Sequence, residues 1–398
     1  MKISGIICEY NPFHNGHLHH IKETRKNGAT HIVAVMSGNF VQRGDTALID
    51  KLDRARLAVK SGVDLVIEIP VPYCLSSAEI YAKGAVFMLG ALGAVDEISF
   101  GSECGDASLL KETADIVEQC ALTQADDINN LLKMGYTYPK ALNSIITRKS
   151  VEAAEIISQP NNLLAIEYMR AMKKYAPKMK QYTIKRKCAS HDSMQISDEY
   201  ASASYIREAI LNGGKDISML MTDLWYNSVK TAKKNGEIGD LRRLERVILY
   251  MLRTTSPEYL AEINDVGQGL EHRIYAAKMS STLDELLFTI KTKRYTMARI
   301  RRILLSALIG IKNTDLKILP PYARILAMNE RGTDILSKAK TSAKIPFDTS
   351  LARLSQKSIY AKRFSELEIM ASDIYGLSLQ QVNSAQKDYK SKISIDID

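Results

Sequence analysis

The chain has 398 residues, of which 45% are hydrophobic and 25% are charged, a composition typical of a folded protein too long for one ordinary core. Its 54 Lys and Arg residues exceed its 45 Asp and Glu residues, and the formal net charge of +9 favours a polyanionic partner. The sequence contains no run of about 18 apolar residues, which argues against a membrane span. Its five cysteines lack C-x-x-C spacing, which argues against a disulfide framework or zinc ribbon. We therefore expect two or three domains and a cytoplasmic location.

Short β-rich runs alternate with helical patterns over residues 1–110. The predicted strands are Lys2–Cys8, His31–Met36, Asp64–Ile69 and Glu97–Phe100. The predicted helices between them are Gly16–Arg25, Ile49–Lys60 and Ala78–Leu92. Continuous apolar strands with intervening helices are typical of a parallel sheet covered on both faces. Such sheets bind ligands at the carboxyl ends of their strands, so we expect a site there.

The remainder of the chain reads as mainly helical. Residues 106–158 follow a helical pattern, punctuated by Tyr-Thr-Tyr-Pro at 136–139, and a further helix follows Gln159–Asn162. A strand is predicted at Gln181–Lys187 and another helix from Ser202. Beyond residue 214 we predict long helices, including Asp240–Arg253 and Leu283–Ile311, with one mixed segment at Tyr322–Ala339. We place a domain boundary near 214–220, which gives domains of residues 1–215 and 216–398.

Four of the seven histidines lie in one segment, EYNPFHNGHLHH at residues 9–20, directly after the first predicted strand. His14 and His17 are three residues apart at a predicted helix start, so both imidazoles can lean toward one point. The amides of that helix terminus add donors and partial positive charge, which favours a phosphate site. The alternatives are solvated histidines, or a zinc site formed by His14, His17 and His20. The zinc site is disfavoured because Glu9 is the one carboxylate or thiolate at ligand spacing nearby.

Neither G-x-G-x-x-G nor G-x-x-x-x-G-K-[ST] follows the first strand, which removes the main support for dinucleotide-binding and P-loop interpretations. Instead, His14-Asn15-Gly16-His17 resembles the H-x-G-H signature of the nucleotidyltransferase superfamily, which includes adenylyl- and cytidylyltransferases and shares the motif with class I aminoacyl-tRNA synthetases. The resemblance implies that these histidines contact the phosphates of a nucleoside triphosphate. Residues 201–207, ASASYIR, resemble the second phosphate-binding signature of that superfamily, I-S-S-T-x-I-R. Ser204 and Arg207 fit it, whereas Ala203 departs from it.

Longer stretches are similar to a narrower family, the bacterial tRNA(Met) cytidine acetate ligases. They are GIICEYNPFHNGHLHH, MSGNFVQRGDTALIDK, FGSE at 100–103 and QPNN at 159–162. This resemblance implies an α/β fold with an N-terminal Rossmann-like nucleotidyltransferase domain and a mainly helical C-terminal domain. It implies an enzyme that activates acetate with ATP as acetyl-adenylate and passes the acetyl group to N4 of the wobble cytidine of elongator tRNA(Met).

The resemblance assigns His14 and His17 as catalytic residues and maps the nucleotide site onto Ile7, Cys8, Glu9, Tyr10, Asn11, Pro12, Phe13, His14, Asn15, Gly16, His17, Leu18, His19, His20, Gly101, Asn162 and Arg186, with Ser204 and Arg207 from the second motif. The KRK run leaves the register of Arg186 open, and Gly101 could serve a turn alone. Asn162 could instead be an ordinary helix cap. In the loop after the second strand, Gln42 and Arg43 are candidates for holding acetate or a phosphate.

The clearest basic cluster is KTKRYTMARIRR at 291–302. We predict that it binds tRNA through Lys291, Lys293, Arg294, Arg299, Arg301 and Arg302, away from the site of chemistry. A solvated face is the alternative. Mg²⁺ is expected with ATP, but no carboxylate cluster identifies a metal site. Two other functions stay open, namely a small-molecule adenylyl- or cytidylyltransferase and a non-catalytic, nucleotide-sensing RNA-binding protein.

Overall fold

A computed structural model describes residues 1–186, 200–267, 269–390 and 393–396 of the chain, the last of these segments by its backbone. Within these ranges the strands are β1 (Ile3–Cys8), β2 (His31–Ser37), β3 (Phe40–Val41), β4 (Asp45–Thr46), β5 (Leu65–Ile69), β6 (Glu97–Ser102), β7 (Lys180–Lys185), β8 (Ala323–Asn329), β9 (Phe347–Asp348) and β10 (Ser394–Asp396).

The α-helices of the first part of the chain are α1 (Asn15–Lys26), α2 (Lys51–Lys60), α3 (Val71–Cys74), α4 (Ala78–Ala91), α5 (Ala107–Thr123), α6 (Ala125–Lys133), α7 (Tyr138–Thr147), α8 (Val151–Ser158), α9 (Pro160–Tyr175) and α10 (Ala203–Asn212). Those of the second part are α11 (Asp223–Lys234), α12 (Glu245–Thr254), α13 (Pro257–Ala261), α14 (Leu270–Ala276), α15 (Leu283–Ile290), α16 (Met297–Ile309), α17 (Glu330–Ala339), α18 (Leu351–Ser355), α19 (Ile359–Leu377) and α20 (Lys387–Lys390).

The main sheet has the strand order β10-β8-β5-β2-β1-β6-β7, with β9 paired to β8. Its pairs are parallel except β5 with β8, which is antiparallel. The predicted α/β class with a parallel sheet is confirmed. The predicted site lies at the carboxyl ends of neighbouring strands, because β1, β6 and β7 are parallel neighbours whose carboxyl ends share one edge of the sheet.

Alternate residues of the central strands pack into two cores, one on each face of the sheet. In β2, Val33 and Val35 join the core formed with α4, α5 and α9. Ile32 and Met36 of the same strand join the core formed with α10 and α11. A third core contains residues of α12, α15, α16 and α19, and it includes Phe40 of the short strand β3 in the loop between β2 and α2. The helical part of the chain therefore packs directly on that loop.

One sequence-based expectation is corrected by the structure, while the prediction of a mixed segment at 322–339 is confirmed. The segment Leu283–Ile311 is two helices, because the Thr292 hydroxyl accepts hydrogen bonds from the amides of Arg294 and Tyr295, and Thr296 then caps α16. The mixed segment 322–339 contains β8, which pairs with β5. Residues 216–398 are mainly helical as predicted, but they also supply strands to the sheet of the first part. The division at residue 215 stays a prediction.

Among the described residues, no helix combines the length and apolar character needed to cross a bilayer.

Candidate active site

A cleft opens at the carboxyl ends of β1, β6 and β7, beside the first turns of α1 and α10. It encloses about 1470 Å³, its open mouth included, which gives ample room for a nucleotide. Twelve of the residues proposed from the sequence line it, namely Ile7, Cys8, Glu9, Tyr10, Asn11, His14, His17, His20, Gln42, Arg43, Gly101 and Arg186. Gly16 and His19 line a smaller pocket that shares His14, His17, His20, Gly101 and Arg186 with the cleft. Residues from four separate segments thus meet at one place.

His14 and His17 are fixed by reciprocal hydrogen bonds at the start of α1. The Gly16 amide donates to Nδ1 of His14 at 3.1 Å, and the His14 amide donates to Nδ1 of His17 at 3.2 Å. Because both Nδ1 atoms accept, the proton of each neutral ring lies on Nε2. The ring centroids are 3.9 Å apart. The arrangement presents two imidazole N–H donors side by side at a helix N-terminus, which suits a phosphate.

Aromatic side chains pack against the segment that carries His14 and His17. Phe13 stacks on Trp225 with the ring centroids 4.9 Å apart and the planes within 6°, and it lies 5.4 Å from the His17 ring. Trp225 is fully buried, and its Nε1 donates to Oγ of Ser61 at 2.9 Å. Phe13 therefore supports the site without lining the cleft. Trp225 belongs to α11, so the second part of the chain fixes the position of the histidines.

His20 is held neutral within a hydroxyl network. Its Nε2 lies 2.9 Å from Oγ of Ser99, which is 2.7 Å from Oγ1 of Thr24. Burial lowers the pKa of His20 to about 4, and the nearby Arg186 and His19 act in the same direction. At neutral pH His20 is therefore an uncharged group on the cleft wall.

The loop after β2 closes another side of the cleft. The Gln42 amide donates to Oε1 of Glu9 at 2.7 Å, and Nε2 of Gln42 donates to the Ser76 carbonyl at 3.2 Å. Burial raises the pKa of Glu9, against the opposing effects of the Gln42 amide and the Arg43 charge. Nη1 of Arg43 lies 3.4 Å from Oγ of Ser204. Gln42 and Arg43 thus bring polar and cationic groups to the cleft mouth.

Arg207 ties two site loops together from outside the cleft. Its guanidinium donates to Oδ1 of Asn11 at 3.3 Å, Oδ1 of Asp45 at 3.1 Å and Oγ1 of Thr46 at 3.2 Å. Ser204 is exposed, and the cleft is lined by its neighbour Ala203, the first residue of α10. The second motif therefore contributes a helix start to the cleft and an arginine to its framework.

Asn161, rather than the predicted Asn162, lines the cleft. Asn162 is 1% exposed, and its Oδ1 accepts from the amides of Glu103 and Cys104 at 2.9 and 3.2 Å. Its Nδ2 donates to Oε1 of Gln159 at 3.2 Å. Asn162 therefore links α9 to the loop after β6, and a direct contact between its side chain and a nucleotide stays a prediction.

One wall of the cleft is apolar and was not predicted from the sequence. It consists of side chains from α4, β6 and α9, namely Tyr81, Phe100, Leu163, Leu164 and Tyr168. The rings of Phe100 and Tyr168 lie 5.9 Å apart. The three α9 residues follow helical spacing, a signal that could have marked this face as a surface for a flat apolar group such as a base.

Arg186 directly follows β7 and lies beside Gly101 of β6. A methyl group at Gly101 would lie 3.4 Å from Cγ of Arg186, so the two residues pack in ordinary contact. The Arg186 guanidinium makes no hydrogen bond or ion pair with the described residues. Pro12, Asn15 and Leu18 do not line the cleft, while Lys187, which ends the predicted strand, lies outside the described residues, as does His191.

The basic cluster lies closer to the cleft than we expected. Gly44, with φ of +72°, packs against α16 so tightly that a Cβ would lie 2.6 Å from the Arg302 amide nitrogen. Arg302 is 8% exposed, donates to the Gln42 carbonyl at 3.3 Å and pairs with Asp265 at 3.4 Å. The expectation of an outward-facing Arg302, remote from the chemistry, is therefore wrong. Arg299 also pairs with Asp265, at 3.2 Å.

The exposed members of the cluster are Lys291 and Lys293, while Arg294, Arg299 and Arg301 are partly buried. Among the described residues, no group of three or more His, Cys, Asp or Glu side chains is placed to hold a metal ion.

Comparisons with known proteins give matches over nearly the whole chain. A family model described as HIGH Nucleotidyl Transferase matches residues 1–391. A tRNA(Met) cytidine acetate ligase of Thermoanaerobacter sp. (strain X514) is 38% identical over 400 residues, which cover 98% of each chain. The same-named protein of Caldanaerobacter subterraneus subsp. tengcongensis is 39% identical over 402 residues, again covering 98% of each chain.

Solved structures give the same result. The fold is similar to that of Thermotoga maritima TmcAL in its apo form, with a TM-score of 0.94, 27% identity and complete coverage of both chains. A second structure of TmcAL, bound with alpha-thio ATP, matches with a TM-score of 0.93 and the same identity and coverage.

Proposed function

The chain belongs to the HIGH nucleotidyltransferase family, together with tRNA(Met) cytidine acetate ligases, and on that premise we propose that it acetylates N4 of the wobble cytidine of elongator tRNA(Met). Acetate and ATP are the other substrates. The observation that carries the proposal is the cleft itself, where the paired histidines, two helix starts and an apolar wall surround one space.

In the first step, a carboxylate oxygen of acetate attacks the α-phosphorus of ATP. The bond to the bridging oxygen breaks, and pyrophosphate leaves with its electron pair. The Nε2–H groups of His14 and His17 donate to the phosphate oxygens on which negative charge accumulates, and Arg186, which lines the same cleft, adds a positive charge. Because both Nδ1 atoms already accept backbone amides, the two rings need no reorganisation as the charge develops.

In the second step, the cytidine N4 amine attacks the carbonyl carbon of acetyl-adenylate. The carbonyl–phosphate bond breaks, AMP leaves, and the N4 proton is released. No nucleophile from the protein is needed, so the contribution of the chain is to position the reactants and stabilise charge. Glu9 is the carboxylate among the described residues that line the cleft, so it is placed to receive that proton.

The adenine base fits against the apolar wall of Phe100, Leu163 and Tyr168, which lines the same cleft as Gly101. Acetate fits near Gln42 and Arg43, since Arg43 supplies a cation at the cleft mouth. Mg²⁺ would enter as a partner of the ATP phosphates. The expected setting is the cytoplasm, where the tRNA substrate resides.

The test is incubation with labelled acetate and ATP, with and without purified elongator tRNA(Met). We expect acetyl-adenylate without tRNA and N4-acetylcytidine at the wobble position with it. Transfer of a nucleotidyl group to a metabolite would instead identify a small-molecule transferase. Binding of ATP and RNA with no turnover would identify a nucleotide-sensing RNA-binding protein.

A further inference from the structure

A second, separate groove lies between the α6–α7 turn and the start of α16. Its walls include Tyr136 and Tyr138 on one side, and Asp265, Arg294 and Arg299 on the other. Both tyrosines are 44% exposed, which is high for side chains of this size. We propose that this groove binds unpaired nucleotides of the tRNA anticodon loop that flank the target cytidine, by stacking bases on the two tyrosines.

The turn that presents the tyrosines is rigidly built. The Gly135 amide donates to the Leu132 carbonyl at 3.0 Å, and the Tyr136 amide donates to the Leu131 carbonyl at 3.1 Å, which closes α6 in a Schellman motif with Gly135 at φ of +91°. Thr137 then caps α7 by accepting from the Lys140 amide. The backbone that carries the two rings is therefore ordered before binding, which lowers the entropy cost of presenting them to a base.

The opposite wall carries the charge that a phosphate backbone requires. The Arg294 guanidinium lies 5.7 Å from the centroid of the Tyr295 ring and makes no hydrogen bond or ion pair with the described residues. The Arg299 charge is shared with Asp265, at 3.2 Å. The exposed Lys291 precedes Arg294 on the same loop. Exposed aromatic rings beside arginines are typical of surfaces that bind single-stranded RNA.

The groove is connected to the cleft through two residues. Nδ2 of Asn264, in the groove wall, donates to Oγ of Ser76 at 2.9 Å. The Ser76 carbonyl accepts from Nε2 of Gln42 at 3.2 Å, and Gln42 lines the cleft. The wall of the groove and the wall of the cleft are therefore joined by a short chain of hydrogen bonds through the buried Asn264 and Ser76. This inference rests on the proposed function, since it names where the RNA substrate of that reaction is held.

The experiment compares Tyr136→Ala and Tyr138→Ala with Tyr136→Phe and Tyr138→Phe. Tyr360→Ala is the matched control, because Tyr360 is 49% exposed on α19 and lies outside both the groove and the cleft. The first readout is the affinity for a fluorescent anticodon stem-loop of elongator tRNA(Met), measured by anisotropy. The second readout is acetate-dependent exchange of pyrophosphate into ATP, which needs no RNA.

Each alanine variant should bind the stem-loop about five- to 150-fold more weakly, the fold-change equivalent to about 1–3 kcal/mol per stacked base. Phenylalanine should restore the affinity, and pyrophosphate exchange should be unchanged throughout. Alanine variants that bind like the Tyr360→Ala control would overturn the proposal, as would phenylalanine variants that remain weak. If the wild-type protein shows no acetate-dependent exchange, the proposed function fails, while the stem-loop affinities still decide whether the groove binds RNA.

Discussion

Replacing His17 separates two roles that one side chain performs. Its Nδ1 accepts the His14 amide and so caps α1, while its Nε2–H is the group that we propose donates to the phosphate. His17→Ala removes both roles. Loss of such a cap costs about 0.5–2 kcal/mol of unfolding free energy. Loss of one preorganised donor to a developing charge costs about 10²–10³ in kcat. His17→Gln keeps an acceptor of the type that capping boxes use at this position, but it lacks the imidazole.

We therefore expect acetate-dependent pyrophosphate exchange to fall by about 10²–10³ in both variants. The thermal midpoint should fall in His17→Ala alone, and by only a few degrees. The assays are pyrophosphate exchange at saturating ATP and acetate, and differential scanning calorimetry. Unchanged exchange in His17→Ala would refute the phosphate-site reasoning. Full exchange in His17→Gln would show that the helix cap, and not the imidazole, is what the reaction requires.

The remaining predictions concern the basic cluster, Arg302, the pH dependence of stability and the separation of the two parts of the chain. The double variant Lys291→Ala and Lys293→Ala should weaken tRNA binding and flatten the slope of log K against log salt by up to about 0.9 per lost contact, while pyrophosphate exchange is unaffected. Arg302→Ala should instead reduce pyrophosphate exchange, because it removes the hydrogen bond that holds the Gln42 carbonyl. Because the folded-state pKa of His20 is about 4, below an unfolded value near 6.5, its contribution to stability is present above pH 6.5 and is lost as the pH falls toward 4. The free energy of unfolding, measured by urea denaturation at a series of pH values, should therefore fall less steeply with decreasing pH in His20→Gln than in the wild type. The difference between the two proteins should reach at most about 3 kcal/mol. A fragment of residues 1–215 should lack both pyrophosphate exchange and a cooperative thermal transition, and coexpression with residues 216–398 should restore both.

Local sequence was sufficient for the central strands and for the position of the cleft. The apolar run Lys2–Cys8 predicted β1, which is observed at Ile3–Cys8, and His31–Met36 predicted β2 to within one residue. These strands are buried on both faces, so their continuous apolar pattern is a direct consequence of their environment. The histidine segment then had to lie at the carboxyl edge of the sheet, since it follows β1 at once.

Contacts between distant segments could not be predicted in the same way. The segment Ala323–Asn329 becomes a strand because it pairs with β5, more than 250 residues earlier in the chain. Nothing in its own pattern specifies that partner. Likewise, Arg302 belongs to a run of basic residues that resembles a solvated face, and it is buried because Asp265 and the Gln42 carbonyl receive its guanidinium. A run of charged residues does not indicate which of its side chains are buried, because burial depends on the distant segments that pack against them.

A buried ionic cluster explains why the two parts of the chain should depend on each other. Nζ of Lys51 lies 2.5 Å from Glu68 and 2.7 Å from Asp388, and Arg324 pairs with the same two carboxylates at 3.2 and 2.8 Å. Although burial opposes ionisation, Lys51 and Arg324 hold the pKa of Asp388 below its ordinary value.

This cluster packs against the loop after β2, because a Cβ at Gly38 in that loop would be 2.7 Å from Oε1 of Glu68. Separating the chain at residue 215 removes Arg324 and Asp388 from the cluster, and breaking a buried pair costs about 3–5 kcal/mol. It also removes Trp225 from the stack beneath the histidines, a loss of about 3–5 kcal/mol for a fully buried tryptophan. Together these losses approach the total stability of about 5–15 kcal/mol that a folded protein possesses. A stable, active fragment of residues 1–215 would therefore show that the cluster and the stack are dispensable for the adenylation site.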